Sequence, residues 1–279
     1  MRAAILASLV LLLQQPSDSR VLLATVAAGN RAIVDVGIDD FVIDQGGAAG
    51  EVLDVHIADY PLVVLLDSGA PAAGEHETIR DAAARFVSRI GERAVAAGTL
   101  AGPSAMFVTF DDDRATVLAQ IRVVPRGPTG SMPLEALANA VRMIQATGAP
   151  FSAIVVISAL AIDPASLGSS DALTPIVDGR IPVHVIAHRD ADTAGPGSPD
   201  SAGSPGSDVL REVSRLTRGQ YTTIYTTASY AIALDRLADR LATELMIQYL
   251  LPPGAPAGGE VRAGVKIPGA RVTGLGVSR

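Results

Sequence analysis

The stretch "PLVVLLDSGAP", residues 61–71, holds the best-placed acid in the chain. The apolar run Leu62 to Leu66 leads straight into Asp67, and small residues follow. A strand buried on both faces reads as such an unbroken run. It delivers a carboxylate to the C-terminal edge of a sheet, where open α/β folds bind ligands. A carboxylate there has two ordinary uses. It contributes charge to a divalent cation whose other ligands are hydroxyls and waters, or it accepts hydrogen bonds from backbone N–H groups of adjoining loops.

Other chemistry-bearing residues are sparse. Asp111 to Asp113 form an acidic triplet, but without the glycine and spaced ligands of a calcium loop, so a solvated turn is the simpler reading. Glu75, His76 and Glu77 open a helical stretch, where the helix dipole alone favours acids; His76 is also within reach of the Asp67 edge. His184 and His188 share one apolar strand, the first inside it and the second at its C-terminal end, and neither has a partner at zinc spacing. There are no cysteines, which removes disulfides, thiolate zinc sites and cysteine nucleophiles together.

The elements that must position these groups alternate strand and helix from Pro61 onward. "ETIRDAAARFVSRIGERAVAAG" places Ile79, Ala83, Phe86, Val87 and Ile90 on one helical face, with Gly98 as its stop. "AMFVTF", Ala105 to Phe110, reads as the second core strand, and "TVLAQIRVV" as a third, edge strand. Ser131 caps a helix with Leu134, Leu137, Val141 and Ile144 buried, and Pro133 sits in its first turn. "AIVVIS" and "PVHVIAH" are continuous apolar strands. Residues 190–207 form a Gly/Pro/Ser-rich loop. Ser207 or Asp208 then opens a helix that Gly219 stops, "YTTIY" is a short strand, and "ASYAIALDRLADRLATELMIQYLL" reads as one long last helix.

Strands alternating with helices imply a parallel sheet covered on both faces. The expected fold is therefore α/β, a Rossmann-like, doubly wound, mostly parallel sheet over 61–250. A β segment over 20–60 precedes it, with strands at Val21 to Val26, Val34 to Val36 and Val52 to Ile57. A linker and two extended stretches, "EVRAGVKI" and "ARVTGLGV", fill 251–279. The N- and C-terminal strands together form a small β appendage.

Composition narrows the function classes. The chain is 48% hydrophobic but only 4% aromatic and without Trp, so its core is Ala, Val, Leu and Ile. Lys266 is the only lysine, and a net charge of −7 argues against a phosphate-binding surface and hence a nucleic-acid partner. "MRAAILASLVLLLQQPSDS" has a basic residue, Arg2, then an apolar run from Ala3 to Leu13. That is the pattern of a secretory signal over 1–16, too short for a spanning helix of roughly 20 residues. The expectation is export, to the periplasm, the envelope or the medium, with a membrane link only through an uncleaved signal.

This order of elements resembles the von Willebrand factor type A (VWA) fold, in particular the secreted bacterial von Willebrand factor A-related family of the acidobacterial type. "GIDDFVIDQGG" resembles that family's lead-in, "PLVVLLDSGA" its first core strand and metal-site loop, and "TGSMPLEALANAV" its middle segment. "SAIVVISALAID" resembles its fourth strand, and "ELMIQYLL" followed by "GGEVRAGVKIPGARVTG" its ending. The resemblance implies a metal ion-dependent adhesion site: Asp-x-Ser-x-Ser after the first strand, a Thr in a middle loop, an Asp after the fourth strand. Carried over, Asp67 matches the first Asp, but Gly69 and Pro71 stand at the two Ser positions. Ser131 stands at the Thr position, with Thr129 as a shifted alternative, and Ser158 and Ala159 stand where Thr-Asp is expected. Asp67 and Ser131 are thus vestigial ligands of a degenerate site. Magnesium binding is the minor reading, and no small-molecule cofactor is implied.

Three functions compete. The first is a non-catalytic module that binds another protein through the edge formed by Asp67, Ser68, Gly69, Ser131 and Ser158, with the same module working through a rebuilt Mg²⁺ site as its variant. The second is an enzyme, disfavoured because no G-x-G-x-x-G, P-loop or G-x-S-x-G stands in place; a Ser–His–Asp site would need His188 brought to Ser68. The third is a self-associating envelope protein whose terminal strands pair with neighbours.

Overall fold

The computed structural model describes residues 19–69, 73–100, 106–127, 132–159, 170–189, 205–255 and 258–278. The proposed signal, Pro71, Thr129, Ser131 and most of the Gly/Pro/Ser-rich loop lie outside the described residues. In chain order the strands and helices are β1 (Ser19–Ala28), β2 (Arg31–Ala32), β3 (Phe41–Gln45), β4 (Ala48–Ile57), β5 (Leu62–Leu66), α1 (Ala73–Arg89), β6 (Val95–Thr99), β7 (Met106–Val108), α2 (Arg114–Val123) and α3 (Pro133–Thr147). They continue with β8 (Ala153–Ser158), α4 (Leu173–Asp178), β9 (Val183–His188), α5 (Pro205–Leu216), β10 (Tyr221–Ile224), α6 (Ser229–Leu241), β11 (Glu244–Leu250), β12 (Val261–Val265) and β13 (Ala270–Ser278). The chain divides into two compact units, Ile57–Leu245 and the remainder on either side of it. Among the described residues, no helix is long and apolar enough to cross a membrane.

The Ile57–Leu245 unit is built on a six-stranded sheet in the order β10-β9-β8-β5-β6-β7. Every neighbouring pair is parallel except β6–β7 at one edge. β5, β8 and β9 are buried along their whole length, β5 as an unbroken Leu/Val run and β9 with two histidines among its apolar residues. Side chains alternate between the two faces. Val63, Leu65, Ile154, Val156, Val183 and Val185 share one core with Leu137 and Val141 of α3, Ile176 of α4 and Leu210 and Val213 of α5. α1 packs with α2 and α6 as the other helical group. α1 buries Ile79, Ala82, Ala83, Phe86 and Val87, a stripe at helical spacing. The turn after α5 runs hard against β9: a Cβ on Gly219 would lie 1.9 Å from the Val183 carbonyl oxygen.

Several expected elements are placed differently. The helix that begins at Ala73 ends at Arg89, and "VAAGT" is strand β6, so Gly98 lies inside a strand and stops nothing. The alanines that extended the helical pattern are favourable in a helix, but here they pair with Val63 to Leu65 of β5. Met106–Val108 is consequently the antiparallel edge and not the second core strand. "TVLAQIRVV" is no strand: it lies in α2, capped by the Asp113 side chain on the Thr116 N–H at 2.8 Å and burying Val117 and Ile121 one turn apart. The N-cap position of α3 is Met132, one residue past Ser131. α5 opens at Pro205. The long last helix breaks after Leu241, and Glu244–Leu250 is a strand.

The other unit is a seven-stranded sheet in the order β12-β3-β4-β11-β1-β13, with β2 on β1. N- and C-terminal strands pair directly, β1 with β13 and β3 with β12, both antiparallel. β3 alternates Phe41, Ile43 and Gln45 inward with Val42 outward. Val34 to Val36 is not a strand, and the strand in this region is Phe41–Gln45.

Candidate functional site

β5 pairs with β6 on one side and β8 on the other, so strand order reverses at β5. The carboxyl ends of strands at such a reversal are the usual ligand position in an open parallel sheet. Asp67 follows β5 there, and Ser158 and Ala159 stand at the end of β8.

Asp67 is buried, and its backbone continues the ladder by donating to the Ile157 carbonyl at 2.9 Å. Each of its carboxylate oxygens accepts one backbone N–H. Oδ1 accepts the Gly69 N–H at 3.2 Å and Oδ2 accepts the Ala159 N–H at 3.1 Å. Burial pushes the Asp67 carboxyl above its ordinary value; the Ala159 and Gly69 N–H groups pull the other way, and the Glu75 charge adds to the rise. Ser68 is buried, with its carbonyl accepting the Gly127 N–H at 2.9 Å. Ser158 is buried, and its hydroxyl contacts the Ala159 carbonyl at 3.2 Å.

Next to this carboxylate lies a second cluster assembled from distant parts of the chain. Glu75 sits buried in the first turn of α1, His188 ends β9 and Tyr230 lies near the start of α6. His188 Nδ1 meets Glu75 Oε1 at 2.6 Å. The Tyr230 hydroxyl lies 3.2 Å from the same carboxylate oxygen and 2.9 Å from the Ser158 carbonyl. The imidazole and the phenol ring stand edge to face, 5.9 Å between centroids. Burial first, then the Glu75 charge and hydrogen bond, drive the Tyr230 hydroxyl far above its ordinary range, so it is a donor and not a phenolate.

The remaining candidates are elsewhere. His76 is buried and directs Nε2 to the Val124 carbonyl at 3.1 Å, with Nδ1 unpartnered among the described residues. Asp112 and Asp113 are occupied as turn and helix caps for Thr109 and Thr116. His184 is buried and accepts the Gln220 N–H on Nδ1 at 3.0 Å. His188 hydrogen-bonds Glu75, not Ser68, so no Ser–His pair forms among the described residues of this edge. Tyr230 is the group that sequence reasoning missed, and an aromatic near the start of an amphipathic helix carries no signal of such a role.

An adhesion-site cation would need side-chain oxygens at positions where Gly69 and Ala159 carry none, and each Asp67 oxygen already accepts one N–H. Among the described residues, no three His, Asp or Glu side chains come together as a metal-holding group. The described donor set does not fit a Mg²⁺ shell of several protein oxygens around one ion.

No protein-family model matches the chain, and no curated protein matches it. Among solved structures, BatB from Bacteroides thetaiotaomicron is similar at TM-score 0.49 and 15% identity, over 66% of this chain and 99% of that one. The vWF domain of the type V pili tip protein Mfa5 from Porphyromonas gingivalis gives 0.49 and 11% over 66% of this chain and 95% of its own. A von Willebrand factor type A structure from Catenulispora acidiphila gives 0.47 and 13% over 88% and 73%. This chain's own architecture has a central first strand, one antiparallel edge strand, helices on both faces and an aspartate closing the first strand at the point of reversal. With that strand order, the Ile57–Leu245 unit has a von Willebrand factor type A fold.

Proposed function

We propose that the chain is an exported, non-catalytic VWA-type module that binds a protein partner at the Asp67 edge without a divalent cation. The observation that carries this reading is the pair of backbone N–H groups on the Asp67 carboxylate, from Gly69 and Ala159. Two charge-assisted hydrogen bonds hold the carboxylate in place, and Gly69 and Ala159 carry no side-chain oxygen to complete a cation's inner shell. Export is supported by the Arg2 and Ala3 to Leu13 pattern of the N-terminus. The absence of chemistry is supported by the partners of His188, a carboxylate and an edge-on phenol ring in place of a nucleophile.

The test is calorimetric titration of the full chain with Mg²⁺ and Mn²⁺, with Asp67→Ala as control. The expected result is no binding tighter than millimolar and a melting temperature indifferent to chelator. Micromolar binding that disappears in Asp67→Ala would overturn the reading and install a metal-dependent adhesion site in its place.

A further inference from the structure

We propose that order at this edge is governed by protons, through the Glu75–His188–Tyr230 network, where a metal-dependent relative would use a cation; the proposal rests on the metal-free reading above. Its core is a single peptide group. The carbonyl of Ser158 accepts from the Tyr230 hydroxyl at 2.9 Å, and the N–H of the same peptide, on Ala159, is held by Asp67 at 3.1 Å. A peptide group is planar and rigid, so Tyr230 and Asp67 clamp one plate from its two sides.

The Tyr230 hydroxyl is the movable part. It has one proton to give and two acceptors in reach, the Ser158 carbonyl and Glu75 Oε1 at 3.2 Å. Which acceptor wins depends on how much of the Glu75 charge is already neutralised. His188, 2.6 Å away, sets that. With a cationic imidazole the carboxylate is balanced, and the hydroxyl proton goes to Ser158. With a neutral imidazole the carboxylate competes for the hydroxyl and draws it off the peptide. The protonation state of one histidine is thereby passed to the backbone that holds Asp67, a local charge event acting on an element with two arrangements.

The groups facing this network come from every element around it. Asp67 lies at the end of β5, and Glu75 with its neighbour His76 lies in α1. His188 closes β9, followed by Arg189, which donates to the His188 carbonyl and to the Tyr221 hydroxyl. Tyr230 comes from α6, and Ser158 of β8 adds no titratable group.

Nuclear magnetic resonance of the isotope-labelled full chain tests the proposal. The Ser158 carbonyl and Ala159 amide resonances are followed across pH alongside the His188 imidazole, with and without MgCl₂. The expected result is that peptide and imidazole share one titration midpoint and that Mg²⁺ moves neither. In Tyr230→Phe the peptide response is lost while His188 still titrates. In His188→Gln, with native dispersion retained, the peptide response is lost as well. A peptide that stays still while His188 titrates, or that responds equally in Tyr230→Phe, overturns the proton link alone. A shift of the Gly69 and Ala159 amides on adding Mg²⁺ overturns the metal-free reading on which it rests.

Discussion

At the N-terminal end of β5, the Tyr60 hydroxyl donates to Glu244 Oε2 at 2.5 Å, and Arg93 lies 4.0 Å over the Tyr60 ring and 3.8 Å from the same carboxylate oxygen. At the C-terminal end, a tyrosine again meets a buried glutamate, but the third member is His188. Both clusters bury a carboxylate and a phenol within one unit; they differ in the cation. A guanidinium keeps its proton under all ordinary conditions, whereas an imidazole does not. β9 repeats the contrast along its own length. His184, near its start, has Arg240 Nη2 3.2 Å from both ring nitrogens, while His188, at its end, faces a carboxylate. One end of the sheet is thus held by a guanidinium and the other by an imidazole. The imidazole end coincides with the strand reversal, the usual ligand position in an open parallel sheet.

The sharpest way to break this comparison is Arg93→Met. Arg93 is buried and donates to the Leu241 carbonyl at 2.7 Å, and its Nε and Nη1 have no hydrogen-bond partner among the described residues. It is nonetheless the cation nearest Glu244, whose carboxyl burial already pushes above its ordinary value. Removing one member of a buried pair strands the other, at about 3–5 kcal/mol. Urea unfolding of the variant should show a loss of that order, partly recovered by adding Glu244→Gln. A loss no larger than the roughly 0.5 kcal/mol of an ordinary surface substitution would mean that Arg93 is not the charge that matters there.

A smaller effect compares the two hydroxyls directly. Tyr60→Phe and Tyr230→Phe each delete one oxygen from a hydrogen bond involving a buried carboxylate, worth roughly 1.5–3 kcal/mol. Tyr60→Phe should cost more, because Glu244 keeps only a guanidinium 3.8 Å away, whereas Glu75 retains the His188 contact at 2.6 Å. Equal losses in parallel denaturation curves would erase the distinction between the two ends.

The edge at Asp67 was legible because a five-residue apolar run ending in an acid has few other meanings. The doubly wound sheet and the pairing of N- and C-terminal strands were legible for the same kind of reason. What failed were segments where two periodicities fit. "VAAGT" continues a helical pattern with residues that favour helix, and only its place beside β5 makes it a strand. Leu237, Leu241 and Leu245 hold helical register across the break at Leu241, so the stripe conceals the change to β11. "TVLAQIRVV" reads as an edge strand but is helical, and Asp113, three residues before Thr116, is the cap that marks its start. The Glu75–His188–Tyr230 cluster lay beyond any spacing rule. Its contacts join residues 113 and 155 positions apart, and only the folded sheet brings them together.

The finest test of the comparison uses the two histidines of β9 and the direction of pH. Burial, then the neighbouring Arg240 cation, lowers the His184 pKa from 6.5 to about 3. In the folded chain this imidazole therefore resists a proton that the unfolded chain accepts freely. Above pH 6.5 neither state binds it, and the contribution of His184 to stability is complete. As pH falls from 6.5 towards 3 the unfolded state gains a proton first, and that contribution is lost. The slope approaches about tenfold in the folding constant per pH unit once the unfolded imidazole is fully charged. His184→Gln can still accept the Gln220 N–H but cannot titrate, so urea midpoints of wild type and variant should converge as the solution is acidified. The same substitution at His188 breaks the Glu75 contact and leaves Arg240 beside the His184 ring. If His184→Gln runs parallel to wild type across the whole acid range, the guanidinium at the start of β9 does not govern the charge of that ring.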